Sequence, residues 1–222
     1  MGTLYLVRHG QASFGAPDYD VLSELGHRQC AQLGAYLHER GLTFDAVLRG
    51  SLRRHRQSLD AIASSLPGLP AATEWTGLNE YDSHAVLRTV FSGDLVAPTD
   101  ADSYRKHFRL LREGLGLWMA GQAQPESMPT WPQWIDGVNG ALDHVRQRFS
   151  GNVLLVSSGG PISTAVAQVL AAPPSTVIEL NLRMRNSALT EFAFTPKRHM
   201  LVSYNNLPHL DHPDRADWVT YT

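Results

Sequence analysis

Residues 3–13 read TLYLVRHGQAS. Leu4, Leu6 and Val7 form a short apolar run that glycine and small polar residues bring to an end, the pattern of an interior strand of a parallel sheet. The run delivers Arg8 and His9, two side chains that are costly to bury, directly before Gly10. In open α/β sheets, ligands bind outside the carboxyl ends of the strands. Position alone therefore marks Arg8 and His9 as candidates for chemistry.

Downstream the same rhythm continues. LSELGHRQCAQLGAYLHERGL (22–42) reads as a helix with Ser23 as N-cap and Gly41 just past its end, and Leu22, Leu25, Gln29, Leu33 and Leu37 give it one mostly apolar face. FDAVLRG (44–50) reads as a second strand, and SLRRHRQSLDAIASSL (51–66) as a basic-fronted helix that turns Leu52, Leu59, Ile62 and Ala63 to the sheet. APDY (16–19) is expected to be a loop, a short third strand is expected around 72–75, and the loop after that strand carries Glu80. NVLLVSSGGPISTAVAQVLAA (152–172) repeats the opening design, with Pro161 in the first turn of its helix. SALTEFAF (187–194) and HMLVSYNN (199–206) read as two more strands joined by TPKR as a hairpin. Strands alternating with helices predict an α/β domain.

Residues 92–134 break the rhythm. DADSYRKHFRLLREGLGLWMAGQ (100–122) reads as one helix, followed by a loop containing Pro125, Pro129 and Pro132. An insertion of that size beside a sheet edge is either a cap over a site or a packing helix. Trp118, Trp131 and Trp134 suit both roles, and also a homodimer interface. With 222 residues, 43% hydrophobic and 18% charged, the chain can bury a full core as one globular unit. A formal net charge of −2 argues against a general nucleic-acid or anionic-membrane binder, so an anion would be held by a local cluster. Cys30 is the only cysteine, which excludes an intramolecular disulfide and fits a reducing compartment. No apolar run approaches a membrane span, and Arg8 interrupts the amino terminus before a secretory leader can form. The expected location is cytoplasmic.

Three further segments should bring polar groups to the sheet edge that holds Arg8 and His9. They are the front of the second helix (Arg53, Arg54, His55, Arg56), the loop with Glu80, and the late strand ending in Ser157, Ser158, Gly159 and Gly160. Guanidinium groups match phosphate oxygens bidentately, and a helix start favours anions. An imidazole can attack phosphorus, and a carboxylic acid can protonate the leaving oxygen.

LVRHGQAS (6–13) resembles the signature of the histidine phosphatase superfamily, also called phosphoglycerate mutase-like, in which the histidine of Arg-His-Gly becomes transiently phosphorylated. GSLRRHRQS (50–58) resembles that family's second arginine motif, Ser-Pro-Leu-x-Arg-Ala-x-Gln-Thr, and places its phosphate-binding arginine at Arg54. LNEYD (78–82) resembles the segment bearing the general acid, here Glu80, and motif order and spacing agree from residue 3 to about 205. The resemblance implies a single phosphoglycerate mutase-like domain over 1–222: a three-layer α/β/α sandwich around a mostly parallel sheet with an antiparallel edge strand. It further implies a hydrolase of the histidine acid phosphatase type, a phosphomonoesterase acting on a small phosphorylated substrate with no metal and no cofactor. His9 would attack with one ring nitrogen while the other donates to a backbone carbonyl. Arg8 and Arg54 would clamp the phosphoryl oxygens. Glu80 would act as acid, then as base for the water that releases phosphate, which requires burial to raise its pKa.

The sequence departs from the family pattern at several places. VSSGGP (156–161) puts Ser158 where the family typically has a second histidine, within Val-Ser-His-Gly-Gly. Serine still offers one hydrogen bond, but losing a charge-assisted contact costs about 1.5 to 3 kcal/mol, roughly tenfold to a hundredfold in rate. His84 and His55 are the imidazoles that could reach inward instead. Gly15 stands where mutases of the family carry asparagine, and Gly50-Ser51 replaces Ser-Pro, a change that reads as structural.

Ser158 and Gly159 are expected to bind substrate; Gln11 and Ser13, beside the nucleophile, either touch substrate or bond the local backbone. Arg53 and Arg56 read as ordinary exposed helix arginines and Cys30 as a packing residue. HLDHPDRAD (209–217) reads as a polar tail, not a metal cluster, and the glycines of GLGLWMAG (114–121) follow no strand, which rules out a dinucleotide loop. A phosphatase is the leading expectation. The alternatives are a phosphoglycerate mutase, a phosphohistidine-protein phosphatase, and a catalytically weak phospholigand-binding protein. LNEYDSHAV (78–86) keeps only the beginning of the mutases' Asn-Glu-Arg-His-Tyr-Gly pattern.

Overall fold

A computed structural model describes residues 1–13, 20–96 and 98–221. Gly15 and the APDY stretch lie outside the described residues. The strands are β1 (Gly2–Arg8), β2 (Ala46–Arg49), β3 (Ala72–Glu74), β4 (Asn152–Ser157), β5 (Leu189–Thr195) and β6 (Arg198–Asn206). They form one six-stranded sheet in the order β3-β2-β4-β1-β5-β6. The first four in that order are parallel, and the β5–β6 hairpin closes one side, β5 running antiparallel to both neighbours.

Helices cover both faces. On one, α1 (Glu24–Glu39) and α2 (Arg53–Ala63) pack Leu33, Leu37 and Ile62 against Val7, Val47, Leu154 and Val156. On the other lie α3 (Ser83–Arg88), α4 (Ala101–Met119), α5 (Trp131–Arg148), α6 (Gly159–Val169) and α7 (Pro174–Asn181), packed against Leu4, Leu6, Leu48, Val153 and Leu155. Because both sheet faces are covered, successive residues of an inner strand are buried on alternate sides, and the strand reads as an unbroken apolar run. Val153 through Val156 are all fully buried, each worth about 1.5–3 kcal/mol of transfer free energy. The result is the three-layer α/β/α sandwich expected from the sequence.

The register of the two central strands positions the site. β1 and β4 pair from Thr3 opposite Asn152 to Arg8 opposite Ser157, so both strands end together and release His9 and Ser158 side by side at the carboxyl edge. α1 begins as expected, with Ser23 Oγ accepting from Gly26 N at 3.0 Å.

Three expectations about elements change. The buried stripe of α2 is Arg54, His55, Ser58 and Ile62, while Leu52 and Leu59 are half-buried and Ala63 is exposed. This helix turns a polar face inward because its first turns look onto the site. The proline-rich loop after α4 ends sooner than expected: Thr130 and Gln133 form a capping box and α5 starts at Trp131, with Pro132 in its first turn. Proline is tolerated there because the first amides of a helix have no intrahelical acceptor. The stretch 209–217, expected as a polar tail, is part of an ordered strap that runs over 207–221. His209 is buried with Nε2 2.9 Å from Ser187 Oγ, and Gln29 Nε2 donates to the Trp218 carbonyl at 2.6 Å and to Thr220 Oγ1 at 2.9 Å. Among the described residues, no helix is long and apolar enough to cross a membrane.

Candidate active site

His9 is held by its backbone as an extension of the sheet. Its amide donates to the Ser157 carbonyl at 2.8 Å, and its carbonyl accepts from Ser187 N at 3.1 Å. On the ring, Nδ1 lies 2.7 Å from the Gly10 carbonyl. A carbonyl only accepts, so Nδ1 carries the proton and Nε2 keeps its lone pair. Burial, then the charges of Arg54 and Arg8, then the His55 ring hold the imidazole well below its ordinary pKa, hence neutral. A neutral ring with Nε2 bare is the nucleophilic form.

Two guanidinium groups flank the same cleft. Arg8, at the end of β1, is anchored through Nη1 to the carbonyls of Met184 and, at 2.8 Å, of Tyr221. Arg54, in the first turn of α2, pairs with Asp20 Oδ1 at 2.7 Å, and the other oxygen of Asp20 accepts from Arg53 N at 2.8 Å. One carboxylate thus caps the helix and fixes the arginine. Both arginines are largely buried, at 8% and 7% exposed, which strengthens their field.

Glu80 follows a single 3-10 turn (Thr76–Leu78) that Ser157 ties to β4 by donating to the Leu78 carbonyl at 2.6 Å. Its carboxyl accepts from Gly160 N, at 3.1 Å to Oε1 and 3.2 Å to Oε2, and from Tyr81 N at 3.3 Å. Burial pushes this carboxyl above its usual range, outweighing the downward pull of Arg54, the Gly160 amide and Arg8. Glycine at 160 lets the carboxyl reach the amide, because a Cβ there would sit 2.2 Å from Oε1 and displace it.

Arg8, His9, Arg54 and Glu80 line one cleft of about 1290 Å³. Typical small-molecule pockets run to roughly 300–1,000 Å³, so the space holds far more than a phosphate group. Its remaining walls come largely from α3 and α4, including His84, Tyr104 and Phe108.

A family model described as the histidine phosphatase superfamily (branch 1) matches residues 4–207. The chain belongs to that superfamily. A 2,3-bisphosphoglycerate-dependent phosphoglycerate mutase of Chelativorans sp. (strain BNC1) is 29% identical over 186 residues, covering 76% of this chain and 81% of the relative. The Entamoeba histolytica phosphoserine phosphatase, solved in complex with 3-phosphoglyceric acid, superposes with a TM-score of 0.66 at 20% identity, covering 95% of this chain and 100% of that one. The alpha-ribazole phosphatase of Shigella flexneri gives 0.65 at 21% identity, covering 92% and 96%. The two solved structures share the phosphoglycerate mutase-like fold of this chain.

Other sequence candidates lie elsewhere. Gln11 and Ser13 are engaged locally: Gln11 Oε1 accepts from Ser23 Oγ at 2.8 Å, and Ser13 N donates to the Val21 carbonyl at 2.8 Å. Ser158 and Gly159 are buried and are not among the residues that line the cleft. Of the two imidazoles considered, His84 stands exposed at the cleft wall, whereas His55 is fully buried with Nε2 2.7 Å from Ser158 Oγ. Asp20 and Asn181 were not singled out from sequence. Asn181 ends α7, reaches the cleft and donates to Tyr81 Oη at 3.0 Å. Neither carries a motif, since an acidic residue before a helix and an amide at its end are commonplace. Cys30 is buried beside Ser58 and Gly10, and burial pushes its thiol up to about 11, the setting of a packing residue. Among the described residues, no group of three or more His, Cys, Asp or Glu side chains is placed to hold a metal ion.

Proposed function

We propose that this protein is a phosphatase that hydrolyses a phosphate monoester through a phosphohistidine on His9. The observation that carries the reading is the pinned His9 ring: Nδ1 is committed to the Gly10 carbonyl, and Nε2 is left bare at a cleft flanked by Arg8 and Arg54. Nε2 attacks phosphorus with its lone pair. The bond from phosphorus to the ester oxygen breaks, and protonated Glu80 gives that oxygen its proton. In the second half, the Glu80 carboxylate takes a proton from water as the water oxygen attacks phosphorus, and the P–N bond electrons return to Nε2. Arg8 and Arg54 carry the charge spread over the phosphoryl oxygens in both steps. Their guanidinium groups fill the role a metal plays in other phosphoryl-transfer sites, so the reaction runs without a metal and survives chelators.

The substrate is a small phosphorylated molecule, with α4 acting as a cap that contacts its non-phosphate portion. Among other readings, a phosphoglycerate mutase has specific support in the 29% identical relative. The test is hydrolysis of an aryl phosphate by the wild type and by His9→Ala. Turnover that disappears in the variant, with an acid-labile, alkali-stable phosphoryl label on the wild type, supports the phosphatase. Equal, negligible rates in both favour a phospholigand-binding protein. Interconversion of 3-phosphoglycerate and its isomer without net phosphate release favours the mutase.

A further inference from the structure

The scheme above uses one imidazole, but the site contains two. His55 is fully buried, and its ring centroid lies 5.9 Å from that of His9 with the planes inclined at 39°. Its Nε2 sits 2.7 Å from Ser158 Oγ, joining the first turn of α2 to the residue that precedes α6. Its Nδ1 is buried with no hydrogen-bonding partner among the described residues. A Cβ at position 50 would lie 2.2 Å from that Nδ1, so the ring occupies space that only a glycine there leaves open. Gly50, His55 and Ser158 are three positions at which the sequence departs from the motifs it resembles, and in the fold they meet around the His55 ring, beside His9.

The contacts fix the proton. A neutral imidazole carries one N–H, and a buried N–H without an acceptor is the costlier orphan than a bare lone pair. Nε2 therefore holds the hydrogen and donates it to Ser158 Oγ. Burial, with Arg54 and Arg49 nearby, keeps the ring neutral. The His55 ring is thus pinned at its far end and wedged at its near one. His9 is pinned at a single atom, Nδ1, and needs something rigid on its flank to stop the ring tilting about that hydrogen bond.

We propose that His55, locked by Ser158, is the positioning residue of the nucleophile: it backs the His9 ring, holds Nε2 toward the cleft and keeps water out from behind it. The inference rests on the reading of His9 as the nucleophile. The charged and titratable groups acting on His9 are Arg8 from β1 and Arg54 and His55 from α2. Removing the His55 ring admits water while leaving both guanidinium groups in place.

The test uses His55→Ala, His55→Gln and Ser158→Ala in the full chain, with an aryl phosphate as substrate. A nucleophile displaced by ~1 Å costs up to about a hundredfold in rate. His55→Ala should lower kcat by that factor with KM within about twofold, since the guanidinium groups are intact. The acid limb of kcat/KM should shift toward pH ~6.5, the ordinary imidazole value, as the His9 ring becomes solvated. His55→Gln, which keeps a planar donor to Ser158, should recover most of the loss. Ser158→Ala should lower kcat in the wild type and have no further effect in His55→Ala, because the two side chains act as one unit.

Wild-type kcat and an unmoved acid limb in folded His55→Ala overturn the inference, as do losses that multiply in the double variant. Should His55→Ala fail to fold, Ser158→Ala decides: a lowered kcat with KM within about twofold supports the inference, and wild-type kcat with an unmoved acid limb overturns it. Activity that persists in His9→Ala sinks the phosphohistidine reading instead. If the wild type shows no turnover, the His9 ring is titrated by NMR: a rise in its pKa in His55→Ala supports the inference, and no change overturns it.

Discussion

In the proposed scheme Glu80 has to exist in two protonation states within one turnover, as the acid for the leaving oxygen and as the base for water. Its raised pKa serves the first task, which needs the proton in place near neutral pH. Because the acid form does the work, kcat should fall as pH rises through that raised value, and the fall should begin above the ordinary carboxylate range. A basic limb at an unperturbed carboxylate value, near pH 4, would show that another group is the acid. Orientation is tested separately by Gly160→Ala. The added Cβ falls 2.2 Å from Oε1 and must push the carboxyl off the Gly160 amide. A helix gains roughly 0.5–1 kcal/mol when alanine replaces glycine, so stability should hold while kcat drops about tenfold or more. Unchanged kcat with a raised Tm would mean that the Glu80–Gly160 contact is structural only.

At the scale of elements, α2 and α6 meet at their first turns, with His55 Nε2 facing Ser158 Oγ across 2.7 Å. That geometry opposes simple restoration of a histidine at 158. A second imidazole there has no room while His55 stays, and overpacking a filled site costs about 1–3 kcal/mol. Ser158→His alone should therefore lower the denaturant midpoint and fail to raise activity, and adding His55→Ala should recover both. A Ser158→His variant as stable as the wild type would show that the space behind His9 is looser than the contacts indicate.

The same pair shows what the sequence could and could not reveal. β1, β4 and α1 were legible because apolar spacing alone determines them, and Arg8 and His9 were legible because a buried strand ended in costly side chains. Apolar spacing gives α2 the wrong phase because its buried stripe is mostly Arg54, His55 and Ser58, polar groups that hydrophobic periodicity assigns to solvent. The start of α5 is not legible because three prolines precede or enter its first turn and hide the apolar face that follows. The His55–Ser158 contact joins residues 103 positions apart, and no local pattern encodes a pairing of that kind.

Over the whole molecule, the strap of residues 207–221 is tied to the same site. It crosses α1 through Gln29, passes the Arg28 guanidinium 5.1 Å from the Trp218 ring centroid, and offers the Tyr221 carbonyl to Arg8 at 2.8 Å. Burying the site and its strap also buries histidines in neutral form. His9 and His55 lie well below the ordinary value, and His209 is lowered to about 3, burial being the first cause in each.

The unfolded chain takes up these protons below pH ~6.5 while the folded one does not, so stability rises with pH in that range and is lost as pH falls. From pH 7.5 to 5.5, each such ring should remove on the order of 1 kcal/mol before most carboxylates begin to titrate, a few kcal/mol together, and His199, lowered to about 4 chiefly by burial, adds to the same slope. That is a large share of the roughly 5–15 kcal/mol that holds a domain folded. Denaturant unfolding at the two pH values measures it, and His209→Gln, which removes one buried neutral ring, should make the slope shallower. A stability that stays level across this range would mean that these rings take up protons in the folded state, which would remove the neutral His9 on which nucleophilic attack depends.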